Sequence, residues 1–326
     1  LNIDVKRLCP TEQLAKMHYV TDGYLQNRRY CIPKESIPPD FNWEVYVELN
    51  PDIKEIYNSP LVHSRISFLS KNEASIAILD ESFEPYFSNL QVKEISTFVQ
   101  EKAPIDIDSA RVFAKNKFSS AVLDFSLDEK EVLSFVVNKT NKWLMDNEIH
   151  LMANQPWRFI KIDNWLCGGF AHTRGSFIII SQAYLDRLTI DWNADMDKEK
   201  ESRLITSLGG LLVHEQMHSL QRTFKSKFDR LYSKNWNFIK HQVKAENEIT
   251  IDQVSNPDAP IPEWIIPDPK DKKKFYWIRT LITKNIDIPT MGRDFVDIAF
   301  EINNKNNTYS VSKVNDTLVS MPLSDL

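Results

Sequence analysis

Apolar and polar positions change rhythm along this chain. From Ala110 the apolar residues Ala110, Val112, Phe113 and Phe118, and then Val132, Phe135, Val136 and Trp143, recur at helical spacing. That pattern predicts two helices whose aromatic side chains face a core. After Pro156 the period shortens. Trp157-Arg158-Phe159-Ile160-Lys161-Ile162 alternates and predicts a strand. Gly168-Gly169 predicts a turn. Phe170 to Gly175 then leads into a second strand at Ser176 to Ile180. Ser181 suits the N-cap of a helix carrying Tyr184, Leu185 and Leu188. Asp195 to Arg203 is polar and predicts a loop running into an exposed helix start, where acidic residues favour the N-terminus. Leu204, Leu208, Leu211, Leu212 and Val213 then predict a buried helix. Gly209-Gly210 inside that run costs roughly 1 kcal/mol per residue in helix propensity. Close approach of another element would explain the pair, and so would a helix start just after it.

The flanks read differently. Residues 1–60 hold His18 to Tyr30 and then Asp40 to Ile53, two short helical blocks joined by a Pro-containing spacer. The pair is similar to small tandem repeats of some viral and bacterial proteins. It is expected as an accessory or docking module, or as a helical extension of the downstream domain. Residues 61–109 mix short apolar alternation with polar turns and are expected as a connector or small α/β segment. Beyond Arg222, Thr223 to Tyr232 is amphipathic and basic, the pattern of a solvated helix face. Ile249, Ile251 and Val254 suggest extended chain, and Pro257 to Pro269, with Trp264, an irregular loop. Asp294 to Phe300 is expected as a helix or strand closing the core. Residues 110–326 are thus expected as one domain, and the chain as α+β with a mainly helical N-terminal region.

Composition narrows the function classes. A formal net charge of −5 gives no basis for nucleic-acid binding. No apolar run approaches the roughly 18 residues of a membrane-spanning helix. Cys9, Cys31 and Cys167 are too few and too odd in number for a disulfide framework, leaving a Cys9–Cys31 bridge open.

Candidate chemistry sits in the buried helix, at His214-Glu215-Gln216-Met217-His218. Residues four apart on a helix share a face, so His214 and His218 can aim two imidazoles at one point. Two imidazoles suit Zn²⁺, and Glu215 beside them suits the general base for a metal-activated water. A core helix with hydrogen-bonded histidines is the plainer alternative.

On His214, Glu215 and His218 the chain resembles the zincin metallopeptidases. The resemblance implies a zincin-like catalytic domain, a Zn²⁺ cofactor, a polypeptide substrate and a cleft above the active-site helix. It implies that the last strand before that helix edges the cleft and pairs with extended substrate. It also implies a third, downstream protein ligand. Asp258, presented by the rigid turn Asn256-Pro257-Asp258, is the first candidate, with Glu246 and then Glu248 as alternatives. His172 and Arg174, at the start of the second strand, are expected either to line the cleft and bind substrate or to stand in a turn and a structural ion pair. Tyr232, His241 and Tyr276 are available to steady an oxyanion. Two rival readings stand beside peptide hydrolysis: a metal-dependent hydrolase of non-peptide substrates, and an attachment protein with a residual zincin site.

Overall fold

The computed structural model describes residues 66–190, 192, 197–241, 243–245, 251–258, 263–268, 270–271, 273–283, 286–305 and 308–311. The 1–60 module, Cys9, Cys31, Glu246 and Glu248 lie outside the described residues. The described elements begin with β1 (Ile66–Phe68) and α1 (Lys71–Ala77). Ser70 caps α1, its hydroxyl accepting from the Glu73 amide while Glu73 accepts from the Ser70 amide at 2.9 Å. A 3-10 turn at Phe87–Asn89, α2 (Val92–Val99) and α3 (Ile107–Ser120) follow. Next come β2 (Val122–Leu123), α4 (Leu127–Asp146) and the single turn α5 (His150–Ala153). Then come β3 (Trp157–Ile162), β4 (His172–Arg174), β5 (Phe177–Ser181) and α6 (Gln182–Ile190). The long helix α7 (Lys198–Thr223) is followed by α8 (Lys225–Arg230) and a π turn at Leu231–Asn235.

These elements surround one mixed sheet of order β1-β3-β5-β4, with β2 also on β3. β1, β3 and β5 run parallel, while β4 is the antiparallel edge. Both faces of the sheet are covered, as parallel strands require. Strand alternation sorts the side chains between two cores. Trp157, Phe159, Ile178 and Ile180 face α4, α6 and α7. Ile160, Ile162 and Ile179 face the opposite core, with Phe98, Ala110, Phe118 and Tyr86. β1 pairs with β3, and Ala74, Ile78 and Leu90 lie in that second core. The described part of the 61–109 stretch is therefore built into the sheet that packs against α7 rather than connecting to it.

The second predicted strand forms as β5, and the residues leading into it form a further strand, β4. Gly175, at φ +56°, turns the chain between β4 and β5, a conformation that favours glycine. The edge of the sheet is consequently β4, and β5 lies inside it. Trp143, expected in the core, is 54 % exposed, because Val132, Val136, Thr140 and Leu144 form the inner stripe of α4.

The remaining chain is strand-rich: β6 (Ile239–Lys240), β7 (Lys244–Ala245), β8 (Gln253–Val254), β9 (Trp264–Pro267), β10 (Phe275–Ile282), β11 (Phe295–Glu301), β12 (Asn303–Lys305) and β13 (Thr308–Val311). One sheet has the order β11-β10-β9-β6, with β8 on β10, and all its pairings are antiparallel. Trp264, expected in a loop, opens strand β9, and of 294–300 all but Asp294 lie in strand β11. Val254 and Ile282 reach back into the core that Tyr86 shares. Helices and a mixed sheet followed by antiparallel strands make the chain α+β. Among the described residues no helix is long and apolar enough to cross a membrane.

Candidate metal centre

The helix that carries the histidines begins well before the glycine pair. Asp197 caps α7, its carboxylate accepting from the Lys200 amide at 2.8 Å, and Glu199 and Glu201 stand in the first turn. α7 then runs unbroken through Gly209-Gly210. A Cβ on Gly209 would lie 3.0 Å from Thr140 Oγ1 and 3.8 Å from Val136 Cγ1 of α4. Helix crossing therefore accounts for Gly209, whereas Gly210 faces open space.

One turn further on, His214 and His218 bring their Nε2 atoms to 3.2 Å. His214 is exposed and the His218 side chain is 18 % exposed. Two imidazole nitrogens this close repel unless a proton or a cation lies between their lone pairs. Ligands about 2.0–2.1 Å from a tetrahedral ion stand roughly 3.3–3.4 Å apart, so the spacing suits one metal. His218 is oriented from behind. Its Nδ1 is 3.0 Å from Gln221 Oε1, and Gln221 Nε2 donates to the Tyr232 hydroxyl at 2.7 Å. An amide oxygen accepts, so Nδ1 carries the proton and Nε2 keeps its lone pair for a ligand. Burial holds the pKa of His218 below the ordinary histidine value, against the pull of Asp258 and Gln221. The neutral form is the one that binds metal.

Asp258 approaches His218 from further along the chain. Its Oδ2 lies 4.0 Å from His218 Nε2. Single ligand atoms of Glu215, His218 and Asp258 all fall within 4.8 Å of one another. The turn that presents Asp258 is self-bonded, with the Asp258 amide donating to Asn256 Oδ1 at 2.9 Å. Its Oδ1 accepts from the Thr173 amide of β4 at 2.6 Å.

Glu215 is 2 % exposed. The Thr173 hydroxyl lies 2.7 Å from Glu215 Oε2 and 2.9 Å from the Glu215 carbonyl, which share its one proton. Burial first, and the charge of Asp258 second, push the Glu215 carboxyl up to about 7, although the Thr173 bond and Arg222 oppose them. A carboxyl that titrates near neutrality can take a proton and return it.

His172 and Arg174, expected in the cleft, are elsewhere. Period-two alternation puts Thr173 on the α7 face and its neighbours on the other. His172 pairs with Ile179 and Arg174 with Phe177, on the side of the Tyr86 core. Arg174 is 1 % exposed, its guanidinium 3.9 Å from the Tyr86 ring centroid and donating to the Asp80 carbonyl at 3.1 Å. His172 is 2 % exposed and holds the Phe170 carbonyl at 3.0 Å. Neither presents its side chain to a substrate. Tyr276 donates to Asp268 at 3.1 Å in the second sheet, and Tyr232 stands behind Gln221. Three residues that sequence reasoning passed over contact the site: Thr173, Gln221 and Arg222. Helical spacing from His218 would have found the last two, and the strand period the first.

Glu215, His218 and Asp258, one imidazole and two carboxylates, could hold a metal ion, and His214 Nε2 lies 3.2 Å from that of His218. No family model, curated protein or solved structure matches the chain.

Proposed function

We propose that this chain is a zinc-dependent hydrolase of peptide bonds, with a site of zincin type. The observation that carries the reading is a His218 Nε2 that lies 3.2 Å from His214 Nε2 and 4.0 Å from Asp258 Oδ2, beside a buried Glu215 whose carboxyl is raised to about 7. His214, His218 and Asp258 would hold the ion. When bound, zinc supplies Lewis acidity to a water and to a scissile carbonyl. Glu215 accepts the proton that the attacking water sheds and passes it to the departing amine as the carbon–nitrogen bond breaks. The Thr173 hydroxyl fixes the direction of the Glu215 carboxylate. Gln221 fixes the ring of His218.

Elemental analysis of the purified protein tests the reading. The expected result is about one zinc per chain, lost in His214→Ala. Glu215→Gln is expected to keep zinc and to lose hydrolysis of an unstructured protein substrate. Full activity in that variant would remove Glu215 as the base. Absence of metal after loading would overturn the reading in favour of an attachment protein. Iron in place of zinc would turn it towards the oxygen chemistry of two-histidine, one-carboxylate sites.

One observation bears on the substrate. The amide of Thr173, at the middle of the edge strand, is already given to Asp258. An extended chain laid along β4 would therefore find no free donor at that point. Cleavage of a peptide depends on contacts to either side of it, and a compact non-peptide substrate loses nothing there. Parallel assays on peptide and ester substrates separate the two.

A further inference from the structure

Asp258 is thirty-six residues beyond Arg222 in the chain, in a short turn after a two-residue strand. A turn of this kind does not by itself fix a carboxylate to the accuracy a metal demands. The Thr173 amide holds its Oδ1, and a single guanidinium holds its backbone. Arg222 Nη2 donates to the Pro257 carbonyl at 2.9 Å and to the Asp258 carbonyl at 2.8 Å. Its Nε donates to Glu84 Oε1 at 2.6 Å. The Arg222 side chain is 6 % exposed and that of Glu84 15 %. Arg222 stands one helical turn beyond His218, on the same face of α7. The helix that presents two ligands thus also grips the backbone that presents the third.

We infer that Arg222, braced by Glu84, is the positioning residue that sets where Asp258 stands relative to His214 and His218, so that metal affinity depends on a side chain that touches no metal. The inference rests on the metal-site reading above. The chemistry requires a guanidinium. Its planar fork serves two successive carbonyls from one nitrogen while another nitrogen faces a carboxylate, and a lysine ammonium has no such fixed geometry. The carboxylate of Glu84 stops the buried charge from being unpaired. It also fixes the rotation of the fork, because the Nε bond leaves the Nη2 hydrogens no other direction. Glu84 belongs to the segment between α1 and α2. The clamp therefore joins three parts of the chain: that segment, the end of the active-site helix, and the 256–258 turn.

Zinc affinity, measured by competition with a chromophoric chelator, tests this on the full chain. Arg222→Met keeps the apolar stem and removes the donors. It is expected to weaken zinc binding roughly 10- to 100-fold, the usual effect of losing a group that orients a ligand. Arg222→Lys is expected to restore only part of that. The decisive comparison is a double-mutant cycle with Asp258→Ala. If Arg222 acts through Asp258, Arg222→Met adds nothing to the loss already caused by Asp258→Ala. A merely structural role would add its full penalty in both backgrounds, and that result overturns the inference. Wild-type affinity in Arg222→Met overturns it equally. Should Arg222→Met fail to fold, Glu84→Gln loosens the same clamp from behind, and the same cycle is run with it. Failure of the wild type to bind zinc would instead remove the metal site itself, and this inference with it.

Discussion

Thr173 holds two site residues by two different groups, and a single substitution separates them. Its hydroxyl holds Glu215 Oε2 at 2.7 Å and its amide holds Asp258 Oδ1 at 2.6 Å. Thr173→Val replaces the hydroxyl with a methyl of similar size, keeps the amide, and keeps a residue that favours strand. Thr173 is fully buried and Glu215 is 2 % exposed, so water cannot replace the lost bond. Hydrogen bonds to charged groups are worth about 1.5–3 kcal/mol. If that bond orients Glu215 for proton transfer, the rate of the chemical step falls roughly 10- to 100-fold. Zinc affinity should stay at the wild-type level, because the amide that holds Asp258 remains. Thr173→Ser should restore the rate. The assays are single-turnover hydrolysis on zinc-loaded protein and chelator competition for zinc. A Thr173→Val protein that is fully active would refute a role for the hydroxyl. One that loses zinc as severely as Asp258→Ala would refute the division of labour between side chain and backbone.

Other expectations concern the frame around the site. Lys161 and Glu129 form a buried ion pair in which Lys161 Nζ lies 2.9 Å from both carboxylate oxygens and 3.1 Å from the Asp124 carbonyl. Lys161→Met should cost about 3–5 kcal/mol in urea unfolding by stranding the carboxylate, and adding Glu129→Gln should return much of it. Gly210→Ala should raise stability by up to about 1 kcal/mol because nothing obstructs its Cβ. Gly209→Val, aimed at Thr140 and Val136, should lose about 1–3 kcal/mol in the same assay. Glu94 is fully buried, and burial pushes its carboxyl up to about 8 against the bonds from the Gln91 and Ser255 amides. The folded state then keeps a proton that the unfolded chain has released, so this contribution is complete at acid pH and is lost as pH rises from about 4.5 to about 8. Melting temperature followed across that range should show a flatter profile for Glu94→Gln, and parallel profiles would refute the shift.

Local periodicity made the histidine pair legible, and its limits explain what stayed hidden. His214, Glu215 and His218 lie on about one turn of one helix, so spacing alone puts the two histidines on one face with Glu215 beside them. The rigidity of an Asn-Pro-Asp turn points to Asp258, and in the structure its Oδ2 lies 4.0 Å from His218 Nε2. The residues that bring it there, Thr173 and Arg222, are bonded to it across eighty-five and thirty-six positions respectively. No pattern within a window reports such a contact. The strand signals held, at Trp157–Ile162 and Phe177–Ser181, but they did not report which faces are buried. Alternation in Trp157 to Ile162 implies one solvated face, yet β3 is central and covered on both sides, and its one lysine is absorbed by the ion pair with Glu129. The polar side chains of β4 misled in the same way. Charge on a short strand near a catalytic motif reads as cleft, but parity assigns it to a face, and parity depends on a register that only the pairing with β5 supplies. Of the three residues of that strand, the two with the more reactive side chains are turned into the core. Thr173, the chemically plainest, is the one that faces the site.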